Sequence, residues 1–337
     1  MITFIGIGSF LGFIILFSML LYKVGNKKPI KNILIGLAIC SILIVGTYEG
    51  DNSLIETNII KDFIKENTEK ISIDFKDTEK HNVAADKFES SNKNIKIHFI
   101  DVGQADSIFI DNGDFDILID AGNNEDGDLV VNYLKKLNTD DIDLLVATHQ
   151  HEDHIGGLDD VINNFKVKKV IDSGEDYTSK TYKDYIKAVE DEKNVEFIED
   201  SDMDINLGNA LFKVIETGDN YDNTNDNSVV TMLDYKDIEI LFTGDMESSI
   251  ENKNLDKFSD IDLLKIAHHG SHSSSSKEFL DIIKPEYAII SCGEDNRYNH
   301  PHKETLNKLN DRDVKVFRTD ILGNIIVTTN GETLSIK

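Results

Sequence analysis

Tryptophan is missing from the 337-residue chain, cysteine occurs twice and proline three times. Two cysteines, Cys40 in an apolar run and Cys292 far from it, exclude a disulfide framework and a CxxC metal site. Any metal must therefore be held by His, Asp, Glu or Asn. Basic residues are scarce as well: 35 Lys plus Arg stand against 62 Asp plus Glu, a formal charge of -27. Such an acidic surface repels a phosphate polymer unless metal ions or a local basic groove intervene, which excludes a general electrostatic nucleic-acid binder. Composition shows no low-complexity bias, and the length suffices for one or two domains with a sizeable core.

Hydropathy is uneven. Residues 2–22 are uncharged and mostly apolar, long enough to span a bilayer core. Lys23, Lys27, Lys28 and Lys31 follow around Asn26 and Pro29, and then comes a second apolar run, 33–48. The pattern is a helical hairpin with a basic turn. Its second limb reaches only ~24 Å and spans with help from Tyr48 and a snorkelling Lys31. The positive-inside rule puts the turn in the cytoplasm and everything after Glu49 outside it. No basic residue precedes the first run and no A-x-A-like site follows either run, which favours a retained hairpin over a cleaved signal peptide. The expected organisation is a transmembrane hairpin over 1–50 that contacts the membrane through residues 2–48, and a charged linker over 51–94. An extracytoplasmic domain over 95–337 follows, held at the cell membrane.

From residue 95 onward, short apolar runs alternate with helix-period segments. Strands are predicted over 95–100, 107–110, 116–119, 144–147, 167–171, 210–215, 229–233, 238–242, 263–267, 287–291, 314–318 and 325–328. Helices are predicted over 128–137, 180–190, 277–283 and 303–309, the third with Ser275 and Glu278 at capping-box spacing. Strands that first come in hairpins and later alternate with helices imply an α/β fold of two packed sheets flanked by helices. No internal repeat is evident.

The strongest chemical signal is His149-Gln150-His151-Glu152-Asp153-His154, directly after the apolar strand ending near Ala147. Ligands two residues apart reach a common metal from a strand end, while the Asp-His pair one turn on serves a second ion. Gly156 and Gly157 follow, with no side chains to crowd the ligands.

H-x-H-x-D-H followed by G-G resembles the first metal motif of the metallo-β-lactamase superfamily. The likeness extends from about residue 95 to the C-terminus, and further segments narrow it. Asp101-Val102-Gly103-Gln104-Ala105-Asp106-Ser107 is similar to the D-V-G-Q-G-D-S signature of the C-terminal domain of the ComEC family of DNA-uptake proteins, with Ala105 in place of a glycine. Asp120-Ala121-Gly122, Thr243-Gly244-Asp245, His268-His269-Gly270-Ser271, the segment from Arg297 to His302, and Arg318-Thr319-Asp320 with Gly323 occur in the order of that family.

The resemblance implies a metallo-β-lactamase αββα sandwich holding two divalent metal ions, zinc or manganese. His149 and His151 would hold one ion, Asp153 and His154 the other, with Asp245 bridging. One of His268 and His269 would complete the second site; His268 is favoured because it comes first off the strand, leaving His269 to support the ligands from behind or to touch substrate. Asp153, Asp245 and His269 would carry catalysis, with water acidified between the ions as nucleophile. Many members supply a third His to the first metal from the segment before the bridging Asp. Here residues 217–228 hold none and offer Asp222, Asn223, Asn225, Asp226 and Asn227 instead. Oxygen donors make manganese as suitable as zinc.

The implied function is a membrane-anchored phosphodiesterase or nuclease linked to DNA uptake, with a phosphodiester such as DNA as partner. Two helices cannot form a DNA pore. A teichoic-acid phosphorylcholine phosphodiesterase of the cell wall is the second reading, and a non-catalytic membrane-tethered binding module the third. The serine run 273–276 is expected to cap a helix, with a substrate phosphate as the alternative role.

Overall fold

The chain divides into two units, 1–90 and 91–337. The computed structural model describes residues 94–218 and 221–337, all in the second unit; the expected hairpin and nearly all of the expected linker lie outside the described residues. Among the described residues no helix is long and apolar enough to cross a membrane.

The chain enters through β1 (Ile95–Phe99), β2 (Ile108–Asp111) and β3 (Asp116–Ile119), then forms α1 (Gly127–Leu137). Next come β4 (Asp141–Ile142), β5 (Leu144–Ala147), α2 (Glu152–Ile155), α3 (Leu158–Asn164), β6 (Lys166–Val167) and β7 (Lys169–Asp172). The middle of the chain holds α4 (Lys180–Asp191), β8 (Glu196–Glu199), β9 (Met203–Asn206), β10 (Leu211–Ile215), β11 (Val230–Tyr235) and β12 (Ile238–Phe242). After α5 (Ser248–Lys253) come β13 (Leu263–Lys265), α6 (Lys277–Ile283), β14 (Tyr287–Ile290), α7 (Lys303–Asn310) and β15 (Lys315–Arg318). The chain ends with α8 (Thr319–Leu322), β16 (Ile325–Thr329) and β17 (Leu334–Ile336).

One sheet has eight strands in the order β17-β16-β1-β2-β3-β5-β7-β8, and the other has seven, β15-β14-β13-β12-β11-β10-β9. Side chains alternate along each strand, so Ile95, Ile97 and Phe99 of β1, Leu144 and Val146 of β5 and Ile240 and Phe242 of β12 share one core between the sheets. The opposite faces are covered too. Leu145 and Ala147 pack with Val130, Leu134, Leu158, Val161 and Tyr185 of the helices on one side. Leu241 and Leu264 pack with Ile250, Phe279, Leu280 and Leu309 on the other. Three cores between four layers make the αββα sandwich expected from the sequence.

The two sheets are built alike. In each, a three-stranded antiparallel meander (β1 to β3; β10 to β12) leads into three parallel strands (β5, β7 and β8; β13, β14 and β15). This repeat of topology leaves no sequence repeat, because only the pattern of burial is shared. Its consequence is a crevice where the carboxyl ends of β3, β5, β12 and β13 converge, the place where open parallel sheets collect ligands.

Most predicted strands and helices are present within a residue or two, and the exceptions have physical causes. The predicted strand over 167–171 is divided into β6 and β7, which pair with different partners. β8 and β9 sit at sheet edges with much of their surface exposed, so neither carried an apolar run. The cap of α6 is Ser276, whose side chain accepts from Phe279 N, and not Ser275. Ser275 turns with φ of 54°, and the amides of Ser275 and Ser276 donate to the two oxygens of buried Glu251 at 2.6 and 2.7 Å. That carboxylate at the helix start displaces the cap by one residue.

Candidate metal centre

The loop after β5 carries His149, Gln150 and His151. Gln150 points away from the crevice and donates to Asp172 Oδ1 and Ser173 Oγ, both at 3.1 Å, which anchors the loop. The two flanking histidines thereby point inward, His149 Nε2 lying 3.0 Å from His151 Nδ1. The short helix α2 then presents Asp153 and His154. It packs so closely on the loop after β3 that a Cβ on Gly156 would meet the backbone of Asn123 and Asn124 at 2.3 Å, and one on Gly157 the carbonyl oxygen of Ala121 at 2.4 Å. The glycine pair is required by this approach, in which Ala121 N donates to His154 O at 2.8 Å.

His154 is fully buried and its orientation is fixed from behind. Its Nδ1 donates to Asp120 Oδ2 at 2.8 Å, and the same carboxylate accepts from Thr148 Oγ1 at 2.7 Å and Thr148 N at 2.9 Å. Nε2 of His154 is thus free to face the crevice, the arrangement by which a carboxylate orients a metal-ligating imidazole.

Asp245 stands at the centre. Its Oδ1 is 3.4 Å from His154 Nε2, and its Oδ2 is 3.9 Å from the Nε2 atoms of His149, His268 and His269 alike. Ser228 Oγ accepts from Asp245 N at 3.0 Å and holds the turn after β12 in place. The Nε2 atoms of His154 and His269 and Oδ1 of Asp245 are buried without any hydrogen-bond partner. Two ligands of one tetrahedral ion, with bonds of about 2.0–2.2 Å, stand roughly 3.3–3.6 Å apart. The 3.4 Å gap from Asp245 Oδ1 to His154 Nε2 is of the size that a shared ion leaves, and the 3.9 Å gaps, too long for hydrogen bonds, lie a few tenths of an ångström beyond it. Donor atoms of His149, His154 and Asp245 form one compact group, and those of Asp153, His154 and His269 another.

His268 and His269 separate although they are neighbours. Both adopt left-handed backbone angles, φ 50° and 52°, so the chain turns sharply and the two rings diverge. His269 Nδ1 is held by Ser291 O at 3.0 Å, and its Nε2 lies 3.4 Å from Asp153 Oδ2. His268 lies at the rim, about a quarter exposed, with Glu247 Oε1 3.6 Å from its Nδ1. The structure thus brings His269 into the group of Asp153 and His154, where the sequence favoured His268; order along the chain did not reveal the turn between them.

Of the five polar residues offered by 217–228, Asn225 alone reaches a histidine of the crevice, the rim residue His268. Asn225 is buried, its Nδ2 lies 3.4 Å from His268 Nδ1, and its Oδ1 has no partner. Asn223 caps the turn Thr224–Asn227, Asn227 bonds the backbone of Tyr221, Asp226 accepts from Ser249, and Asp222 is exposed. Of the serine run, Ser273 approaches His268 Nδ1 at 3.4 Å while Ser276 caps α6.

Charge in the crevice is strongly perturbed. Burial opposes charge on His154, yet Asp245 and Asp120 outweigh it and hold the ring well above its ordinary range. His269 is likewise raised against burial by Asp245, Asp106 and Asp153. His149 moves the other way, pushed well below its ordinary range by burial and by His154, with Asp245 opposing; burial also lowers His151. Asp153 and Asp245 lie below the usual carboxylate range: burial opposes this, and His269 and His154 draw them down. The carboxylates demand positive charge in a buried place. Protons on His154 and His269 meet that demand, and a divalent ion meets it while releasing them. The donor set of imidazoles and carboxylates fits zinc or manganese.

A profile of the Metallo-beta-lactamase superfamily matches residues 100–294, more than half of the chain and the segment that holds every candidate ligand. The chain belongs to that superfamily. Among curated relatives it is 30% identical over 252 residues to ComE operon protein 3 of Bacillus subtilis (strain 168), covering 68% of this chain and 32% of that protein. It is 27% identical over 237 residues to Competence protein ComA of Neisseria gonorrhoeae, covering 66% and 30%. It is 25% identical over 247 residues to Recombination protein 2 of Haemophilus influenzae, covering 72% and 30%. The ComEC-like resemblance read from the motifs holds in these relatives, of whose length the chain spans about a third.

Among the residues of this superfamily member that carried no assigned role from sequence alone are Asp120 and Lys265. Asp120 was legible only as part of a D-A-G segment. Lys265 was one residue of an apolar strand; its Nζ lies 2.7 Å from Asp106 Oδ2, both side chains almost fully buried, with Asp106 Oδ1 3.5 Å from His269 Nδ1. A lysine inside an apolar run was the one signal that such a pair existed.

Proposed function

We propose that the chain is a two-metal phosphodiesterase acting on nucleic acid, anchored in the cell membrane by its first fifty residues with the 95–337 domain outside the cytoplasm. The observation that carries the chemistry is the position of Asp245, one buried carboxylate 3.4 Å from His154 Nε2 and 3.9 Å from the Nε2 atoms of His149 and His269. On this reading His149 and His151 hold one ion, Asp153, His154 and His269 hold the other, and Asp245 serves both. Zinc or manganese bound there supplies a nucleophile from water at neutral pH and offsets charge on the phosphoryl group.

The chain's own residues do the positioning. Asp120 keeps the Nδ1 proton on His154 and so keeps Nε2 available. Ser228 fixes the Asp245 turn, and Ser291 fixes His269. His268, at the mouth with Glu247 behind it, is placed to touch a bound substrate. The first group lacks a third imidazole, so its ion is held more weakly than the second.

Similarity to proteins named for competence and recombination supports a nucleic-acid substrate, and the apolar runs 2–22 and 33–48 with their basic turn support the anchor. The test is hydrolysis by the purified chain, with manganese or zinc, of DNA, bis-p-nitrophenyl phosphate and a β-lactam. Hydrolysis of DNA and of the simple diester, lost in Asp245→Asn, is expected. A folded, metal-loaded chain that cleaves neither would leave only the tethered binding module. External protease on intact cells is expected to remove the domain; its survival while a known outward protein is digested contradicts the orientation.

A further inference from the structure

Three arginines occur in the whole chain. Arg312 pairs with Asp281 at 2.6 Å and Arg318 with Asp320 at 2.5 Å. Among the described residues no carboxylate lies within ion-pair distance of the third, Arg297. In a chain of formal charge -27 an arginine left without a carboxylate calls for a physical reason.

Arg297 lines the cleft of about 950 Å³ that opens over the metal centre. Six carboxylates face the same cleft, those of Asp101, Glu125, Asp126, Glu152, Asp153 and Asp245, and apart from histidines Arg297 is the one cation among its lining residues. Its guanidinium is not free to wander. It lies over the Tyr298 ring, 4.7 Å from the centroid, and donates to the Tyr298 hydroxyl. Tyr298 in turn stacks on His300 at 5.6 Å and 23°, and His300 on the buried His269 at 6.3 Å and 24°. A column of near-parallel planes thus runs from the metal centre to the rim and ends in the guanidinium.

The loop beneath this column is fastened twice. Asn296 Nδ2 donates to Gly293 O at 2.9 Å and to His300 O at 2.6 Å, while its Oδ1 accepts from His300 N at 2.9 Å. Gln104 accepts from Gly293 N at 3.2 Å, and its Nε2 lies 3.3 Å from His300 Nδ1. The D-V-G-Q segment and the segment from Arg297 to His302, both singled out by sequence and neither containing an assigned ligand, are therefore one device that carries Arg297.

We infer that Arg297 is a specificity-determining residue that grips the phosphate next to the scissile one, so that the substrate is a nucleic-acid strand and not an isolated diester. The inference rests on the phosphodiesterase reading. A guanidinium presents a planar fork that matches phosphate oxygens, and stacking on Tyr298 orders it before binding, which lowers the entropic cost of the contact. Its outer plane also offers a base a surface to lie on, which a glycerol-phosphate chain cannot use. Bound ions neutralise charge at the scissile group only; in this acidic cleft the neighbouring phosphate needs its own cation.

The test compares the full chain, Arg297→Ala and Arg297→Lys with manganese on a short oligothymidylate, on poly(glycerol phosphate) and on bis-p-nitrophenyl phosphate, which carries one phosphate. Arg297→Ala is expected to lower kcat/KM for the oligothymidylate about tenfold or more and to change it less than twofold for the single diester, with Arg297→Lys recovering only part because the fork is lost. Equal losses on both substrates, no loss on the oligothymidylate, or a loss confined to poly(glycerol phosphate) would overturn the assignment. If the wild-type chain cleaves no diester at all, the phosphodiesterase reading itself falls, and the role of Arg297 falls with it.

Discussion

Replacing Asp120 by Asn tests whether a residue that touches no substrate controls metal affinity. The Asp120 carboxylate is about 1% exposed and accepts three hydrogen bonds, from Thr148 N, Thr148 Oγ1 and His154 Nδ1, at 2.7–2.9 Å. An asparagine has one acceptor oxygen and one donor amide. If its oxygen keeps the Thr148 amide, its NH₂ faces His154 Nδ1, which must then become the acceptor and move its proton to Nε2. That proton occupies the lone pair the centre needs. Loss of such an orienting partner costs about 10–100-fold in metal affinity, roughly 1.4–2.7 kcal/mol. Stability of the folded chain should also fall by about 1–3 kcal/mol, the cost of a poorly matched buried group. Competition of the purified variant against a chelator measures the affinity, and ¹⁵N shifts of the His154 ring report which nitrogen carries the proton. A variant that binds metal within twofold of wild type, with the proton still on Nδ1, would refute the reasoning.

Lys265→Met leaves Asp106 charged in a buried place, and a cost of about 3–5 kcal/mol in urea unfolding is expected, with more than half recovered in Lys265→Met/Asp106→Asn; a cost under 1 kcal/mol would show the pair is not needed. Asp116, far from the metal centre, has its carboxyl pushed up to about 7 by burial and by Asp111, Asp143 and Asp141, against Lys168. A raised carboxyl favours the protonated folded state, so its stabilising contribution is complete below about pH 4, the unfolded value, and is lost as pH rises through 7. Asp116→Asn should therefore stabilise the domain at pH 8 by about 1 kcal/mol, a figure reduced for solvent screening of a half-buried group, and have little effect at pH 4. Thermal melts at the two pH values check this, and equal shifts at both would contradict it.

Much of the fold was legible because short apolar runs, such as those of β1, β5 and β12, mark strands buried within the sheets. The exposed edge strands β8 and β9 were not, since nothing is buried on either face to write a pattern. That His149, Asp153, His154 and Asp245 come together was readable because they share one short segment or follow a characteristic turn. The choice between His268 and His269 was not readable, since it depends on two successive left-handed residues that no side chain announces. Asp120, Ser228 and Ser291 escaped for a related reason: they act on His154, Asp245 and His269 from the ends of neighbouring strands of the same sheet, and strand pairing leaves no spacing in the sequence.

The most direct measurement is the metal content of the purified full chain and of Asp245→Asn, by elemental analysis after equilibration with manganese or zinc. Two donor groups joined by one carboxylate require two ions per wild-type chain at saturation, and in a folded Asp245→Asn both should weaken together, because each loses the same ligand. Wild-type chains that saturate at one ion or none, or an Asp245→Asn variant that holds two ions as tightly as wild type, would contradict a shared two-metal centre.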